Sequence, residues 1–272
     1  MTTAAGRIGL ACLVFAGSAF FALPVRALDP NATSQSSTEI PPIEAERLGT
    51  KAYRAGNIQE AINRWTHAAE AGQAMAQWRL GRMFADGKGV PRDDRAAFRW
   101  FKQIVEDHAD EEPGTPQGQL TSRAFVELGS YYLAGIPDSD VKQDMTLAWR
   151  MFYQAASVFG DAEAQYQLGR LYLDGKGVEK NTRLAQNWLK NAAEKGNVKA
   201  QATLGELLFV GDVLPRRPAE GLMWLSVARN QARTTEDEWI ITAFEDAYTL
   251  ATDEERMQAA NSVKRWQRQA RQ

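Results

Sequence analysis

From about residue 43 onward, apolar and small residues recur at helical spacing, in a unit that itself repeats. Ala-x-x-x-Leu-Gly stands at Ala76/Leu80/Gly81, Ala124/Leu128/Gly129, Ala164/Leu168/Gly169 and Ala200/Leu204/Gly205. Residues four apart share one face of a helix, so each alanine–leucine pair marks a buried stripe. The stripe continues four residues later at Phe84, Tyr132, Tyr172 and Leu208. A glycine inside a helix costs about 1 kcal/mol, and close approach of a second helix is what offsets it. A second helix follows in each unit. It carries a tryptophan nineteen residues after the glycine at Trp100, Trp188 and Trp224, while in the remaining unit, whose turn is three residues longer, Met151 takes that place, with Trp149 two residues earlier. These rings are expected in the core. Gly72, Gly160 and Gly196 are read as C-terminal caps of helices.

Successive repeat glycines lie 48, 40 and 36 residues apart. The underlying period is a helix pair of about 36 residues with insertions, which is the signature of a solenoid. The pattern predicts five helix pairs over residues 43–233, then two helices at 238–250 and 253–271. Thr252 and Glu255 form a capping-box pattern at the start of the second. This terminal pair is expected to cover the end of the array, whose last apolar face needs a polar cap. Residues 107–118 hold two prolines, two glycines and four acids, and read as an exposed loop.

The beginning of the chain has a different texture. Arg7 is the only charge before an apolar run over residues 8–23, Pro24 breaks the run, and Val25-Arg26-Ala27 offers a small-x-small exit. That is the layout of a secretory signal over residues 1–27. The run is shorter than the roughly 20 residues needed to span a bilayer. Residues 28–42, rich in Ser, Thr, Pro and Asn, read as a flexible leader. Cleavage would remove Arg7, Arg26 and no acid, taking the formal charge from −2 to −4. Mild acidity argues against nucleic acid, whose binding rests on clustered Lys and Arg. Cys12, the single cysteine, would leave with the signal, and with it any disulfide framework, thiol catalysis or thiolate metal site.

Little else suggests chemistry. Gly87-Lys88 and Gly175-Lys176 invite a phosphate-loop reading, yet Arg82 and Arg170 stand where that loop needs its first glycine. Gly89 and Gly177 stand where it needs Ser or Thr. His67 and His108 have no metal-ligand pattern around them, and Gly-x-Ser-x-Gly is absent. No catalytic, cofactor or metal residues are assigned, and the chain reads as a non-enzyme. Lys264, Arg265, Arg268 and Arg271 flank Trp266 near the C-terminus, where cations complement a helix dipole. Contact with a membrane surface is the alternative for that cluster.

Asp86-Gly87-Lys88-Gly89-Val90 and Asp174-Gly175-Lys176-Gly177-Val178, each following Leu-Gly-x-x-aromatic, resemble the turn of the Sel1-like repeat, a relative of the tetratricopeptide repeat. The third turn, Gly135-Ile136-Pro137-Asp138-Ser139-Asp140-Val141, is three residues longer, and the fifth, Gly211-Asp212-Val213-Leu214-Pro215, matches loosely. Leu48-Gly49, Gly56-Asn57, Ala61-Ile62, Trp65 and Ala68 follow tetratricopeptide spacing with a short turn. The resemblance implies an all-α fold: a right-handed α-solenoid of Sel1-like and tetratricopeptide-like helix pairs with C-terminal capping helices. In such arrays the positions of Trp78, Arg82, Arg123, Tyr166, Arg170, Lys199 and Glu206 face the concave side. Trp, Tyr and Arg dominate interface hot spots, so these seven residues are the expected partner-binding set. A merely solvated helix face is the alternative.

Ala52-Tyr53-Arg54-Ala55-Gly56, the long third turn and Gln201-Ala202-Thr203-Leu204-Gly205 extend the similarity to the ExoR-type group of rhizobial regulators. That resemblance implies a periplasmic negative regulator of exopolysaccharide production. It would bind the periplasmic domain of a sensor histidine kinase in a two-component system, without a cofactor. A scaffold for an envelope polysaccharide or secretion complex is the alternative, and homo-oligomerisation stays open.

Overall fold

The computed structural model describes residues 40–269. The expected export signal with Cys12, the leader up to residue 39, and Arg271 lie outside the described residues. Within them the chain forms α-helices, one short 3-10 turn and no strand. Five hairpins follow one another: α1(Pro42–Arg54) with α2(Ile58–Glu70), α3(Ala74–Asp86) with α4(Asp94–His108), α5(Pro116–Ala134) with α6(Met145–Ser157), α7(Ala162–Asp174) with α8(Thr182–Glu194), and α9(Val198–Val210) with α10(Pro218–Arg229). Each helix of these five packs chiefly on its hairpin partner and then on the adjoining pair. Two further helices, α11(Glu238–Leu250) and α12(Asp253–Gln269), pack against α10. The all-helical solenoid with terminal capping helices holds.

The repeat glycines explain the tightness of each hairpin. A Cβ added at Gly81 would lie 2.6 Å from the Phe101 ring, at Gly129 2.6 Å from the Phe152 ring, and at Gly169 2.6 Å from Leu189 Cγ. At Gly205 it would meet Leu225 Cγ and the Gly221 carbonyl oxygen, both at 2.8 Å. The expected tryptophans are therefore not the residues seated on the glycines. Phe101, Leu189 and Leu225 are, each one position further along. One residue turns a helix by about 100°, enough to move a side chain from the seam to the flank. Trp100 and Trp188 consequently lie half-buried at the edges of the core, and Trp224 is buried against Trp266 of α12, ring centroids 4.9 Å apart. In the first hairpin a tryptophan does take the seam: Trp65 meets Gly49, and its indole N–H donates to the Glu46 carbonyl at 3.3 Å.

A second adhesive is a set of buried glutamines. Gln77, Gln165 and Gln201 each follow the repeat alanine and donate to the carbonyls of Ala69, Ala156 and Ala193, at 3.1, 3.4 and 3.0 Å. These carbonyls lie in the last turn of the preceding hairpin, where a helix leaves acceptors unused. In the third unit Phe125 takes the place and packs on Phe159 instead.

The two irregular stretches are ordered by specific contacts. The long third turn closes through a 2.8 Å bond from the Ile136 N–H to the Val141 carbonyl, and both side chains are buried. The stretch 107–118 is less loop than expected, because helices enter it from both ends. His108 ends α4 with a ring nitrogen 3.1 Å from the Gly72 carbonyl, so it is a tethered residue rather than a solvated one. Thr115 caps α5 by accepting the Gly118 N–H at 2.9 Å. As a result α5 begins eight residues before its repeat alanine, Ala124, while α3, α7 and α9 begin two before theirs. At the other end, the Thr252–Glu255 capping box forms in both directions, at 2.8 and 3.2 Å.

Candidate interaction surface

The first helices of successive hairpins share one face, and near its N-terminal end they enclose a groove of about 340 Å³. Tyr53 comes from α1, Met75, Trp78, Arg79 and Arg82 from α3, and Leu120 and Arg123 from α5. Trp78 is half-buried, with its ring 5.3 Å from Phe101, the same ring that sits on Gly81. Hairpin packing thus fixes the indole from below and leaves part of it to solvent. The Arg82 guanidinium lies 6.0 Å from the indole centroid, within reach of a cation–π contact. It is held there by Glu127 of α5 at 2.6 Å and Asp86 at 2.7 Å. Arg79 makes the equivalent link to α1, with Glu46 at 2.9 Å and its guanidinium 5.6 Å from the Trp65 ring.

These pairs set the local electrostatics. Burial works against the charge on Arg82, but Glu127 and Asp86 outweigh it and hold the guanidinium above its ordinary pKa. The Asp86 carboxyl is held below the usual carboxylate range by the Lys88 ammonium first and by Arg82 next, against a burial penalty. One turn beyond Glu127 on α5, burial pushes the Tyr131 phenol up, and Asp94, which accepts its O–H at 3.2 Å, adds to the shift.

Of the seven expected contact residues, Trp78, Arg82 and Arg123 meet in this groove. Tyr166 does not stand on the surface. It is 5% exposed, packs with Ala200 and Leu204 of the next hairpin, and its hydroxyl accepts from Arg170 Nη1 at 3.0 Å. Arg170 itself is exposed. Lys199 and Glu206 lie exposed on α9, and Glu206 lines a different groove at the far end. Tyr53 and Arg79 belong to the groove and Glu127 anchors its Arg82, and none of the three was singled out as a contact residue from sequence. Glu127 occupies in α5 the repeat place that Arg79 holds in α3, and that opposition of charge was the available signal.

The remaining candidate chemistry is structural in character. Lys88 and Lys176 pair with Asp86 and Asp174 at 2.9 and 2.8 Å, and Gly87 and Gly175 close α3 and α7 with left-handed backbone. Both Gly-Lys pairs are therefore helix-ending turns. A His67 ring nitrogen lies 2.9 Å from the Ile40 carbonyl. Among the described residues no His, Cys, Asp and Glu cluster is arranged to hold a metal ion, and no helix is long and apolar enough to cross a membrane.

Stacked glycine-seamed hairpins with Gly-x-Gly turns define a class. Residues 74–106, 124–157, 162–197 and 198–232 each match the Sel1 repeat, and the chain belongs to the Sel1 repeat family. The α1–α2 hairpin and the terminal helices lie outside those segments. Repeats of this family serve protein–protein interaction. Within it, the chain is 34% identical over 252 residues to the exopolysaccharide production negative regulator of Rhizobium meliloti (strain 1021), covering 92% of this chain and 90% of that protein. It is 32% identical over 225 residues to the protein of the same description from Rhizobium leguminosarum bv. viciae, covering 83% and 82%. Among solved structures, a Sel1 repeat protein from Oxalobacter formigenes superimposes with a TM-score of 0.55 at 24% identity over 72% of each chain, a likeness of fold.

Proposed function

We propose that this chain is a periplasmic, non-enzymatic negative regulator of exopolysaccharide production, which binds the sensor domain of a membrane histidine kinase and holds the kinase inactive. The observation that carries this reading is similarity along nearly the full length of both chains to regulators of that description. The groove at Trp78, Arg82 and Arg123 supports it, since a fixed aromatic ring beside guanidinium groups has the chemistry of an interface hot spot. The export signal read over residues 1–27 supplies the compartment in which a sensor domain is reached.

Binding alone suffices for the regulation. A protein that binds the inactive kinase conformation more tightly than the active one shifts the population toward it. Moving the balance from 1:99 to 99:1 takes a preference of about 10⁴-fold, roughly 5.5 kcal/mol. Release of the regulator reverses the shift without any covalent step.

A deletion strain tests this directly. Loss of the gene is expected to raise secreted polysaccharide, with wild-type protein restoring the low level and Trp78→Ala with Arg123→Glu failing to do so. Crosslinking in cells is expected to recover the kinase. Unchanged polysaccharide in the deletion strain would refute the regulatory role, and recovery of a secretion or polymerase complex in place of the kinase would favour the scaffold alternative.

A further inference from the structure

The far end of the solenoid carries a second groove with the opposite character. It lies between α9 and α11, with Glu206, Phe209 and Val210 on one wall and Ala243, Asp246 and Leu250 on the other, and measures about 380 Å³. Val210 is 55% exposed and Leu250 75%, so two large apolar side chains stand in water at the ends of adjacent helices. The spacing on each wall places these residues along one helix face, and two ridges with an apolar floor form the seat that an amphipathic helix takes.

Charge selects among possible helices. Glu206 and Asp246 are exposed, and neither makes an ion pair among the described residues. One cation, Arg216, also lines the groove: its guanidinium lies over the Phe209 ring at 5.8 Å, and its charge is met by Glu255, outside the groove, at 3.5 Å. Lys199 stands two turns back on α9. An apolar floor between two carboxylates that make no ion pair complements apolar residues flanked by Lys or Arg.

The geometry points to this groove as a docking slot for a basic amphipathic helix of a partner protein, distinct from the arginine-bearing groove at the other end. The inference adds a second contact to the protein-binding reading and does not depend on the kinase. Its test uses peptides and C-terminal variants, so either idea can fail alone.

The probe is a fluorescein-labelled leucine–lysine peptide of about 18 residues, long enough to be helical, with leucine at every third or fourth position. Its counterpart carries glutamate in place of lysine. Fluorescence anisotropy with the full chain is expected to show the lysine peptide binding at least about tenfold tighter than the glutamate peptide, a difference of about 1.4 kcal/mol. Glu206→Lys with Asp246→Lys should remove that preference, and Leu250→Asp should weaken both peptides. The same charge change at Glu60→Lys with Glu106→Lys, on α2 and α4, should leave binding within about twofold, since long-range attraction is screened. Melting curves confirm that each variant is folded. Equal affinity for the two peptides, or equal weakening by the control pair, would overturn the proposal. So would a dimer of this chain that dissociates on Glu206→Lys with Asp246→Lys, because the occupant would then be a second copy.

Discussion

Trp78 with Arg82 and Tyr166 with Arg170 occupy the same places in two repeats, two positions after the repeat alanine and two after the repeat leucine. The structure gives them opposite duties. Trp78 stays half-exposed above Phe101, and its arginine reaches across to Glu127 of the next hairpin. Tyr166 is swallowed by the next hairpin, and its arginine turns back to cap its hydroxyl. The difference comes from what the following unit offers. Both rings pack with the repeat alanine and leucine of the following unit, Ala124 and Leu128 for Trp78 and Ala200 and Leu204 for Tyr166. The flanking places differ: Arg123 lines the groove beside Trp78 and Glu127 draws Arg82 across, whereas Lys199 and Thr203 hold those places on α9 and Arg170 bonds Tyr166 instead. A repeat position is thus left open to solvent or buried in the core according to its neighbour.

The sharpest way to break that contrast is to truncate both rings. Tyr166→Ala is expected to destabilise the chain by about 3–4 kcal/mol, the cost of emptying a core site, while partner affinity of the folded molecule stays unchanged. Trp78→Ala should cost roughly half as much stability and lower partner affinity about tenfold, as read by thermal melting and by titration of the sensor domain. The seam glycines sharpen the comparison. Gly81→Ala and Gly169→Ala should each destabilise by about 1–3 kcal/mol through overpacking, but only Gly81→Ala displaces Phe101 and so disturbs Trp78. Matched melts with binding assays separate the two. Arg82→Ala loses two partly exposed ion pairs and should change stability by under about 1 kcal/mol.

The smallest effect expected is one of pH. The folded Asp86 carboxyl has a lowered pKa, so its contribution is present above its unfolded value near 4 and is lost as pH falls through the lower folded value. Acid melts of the wild type and of Asp86→Asn should therefore diverge slightly above pH 4 and converge below it. No such divergence would mean that the pairs around Arg82 carry no net stability.

Much of the fold is legible in four copies of Ala-x-x-x-Leu-Gly, since alternate faces of a helix and the need to seat a glycine leave few arrangements. What was not legible depends on phase and neighbours. Counting nineteen residues from the glycine lands on Trp100 and Trp188, but the seam is one residue and about 100° further round, at Phe101 and Leu189. Thr115-Pro116 carries a cap and first-turn signal that the surrounding glycines and acids masked, and so α5 starts earlier than expected. The buried glutamines are visible as letters after each repeat alanine, yet their acceptors belong to the previous hairpin. Trp78, Arg82 and Arg123 could be placed on one face from spacing alone, whereas the burial of Tyr166 needed the structure of the hairpin beyond it.

The most direct test is calorimetric titration of the purified sensor domain into the wild-type chain, Trp78→Ala with Arg123→Glu, and Tyr166→Phe. Loss of at least about tenfold in affinity for the double variant, with Tyr166→Phe matching the wild type, is the expected result. Unchanged binding by the double variant, or an equal loss from Tyr166→Phe, would contradict the assignment of the N-terminal groove as the recognition surface.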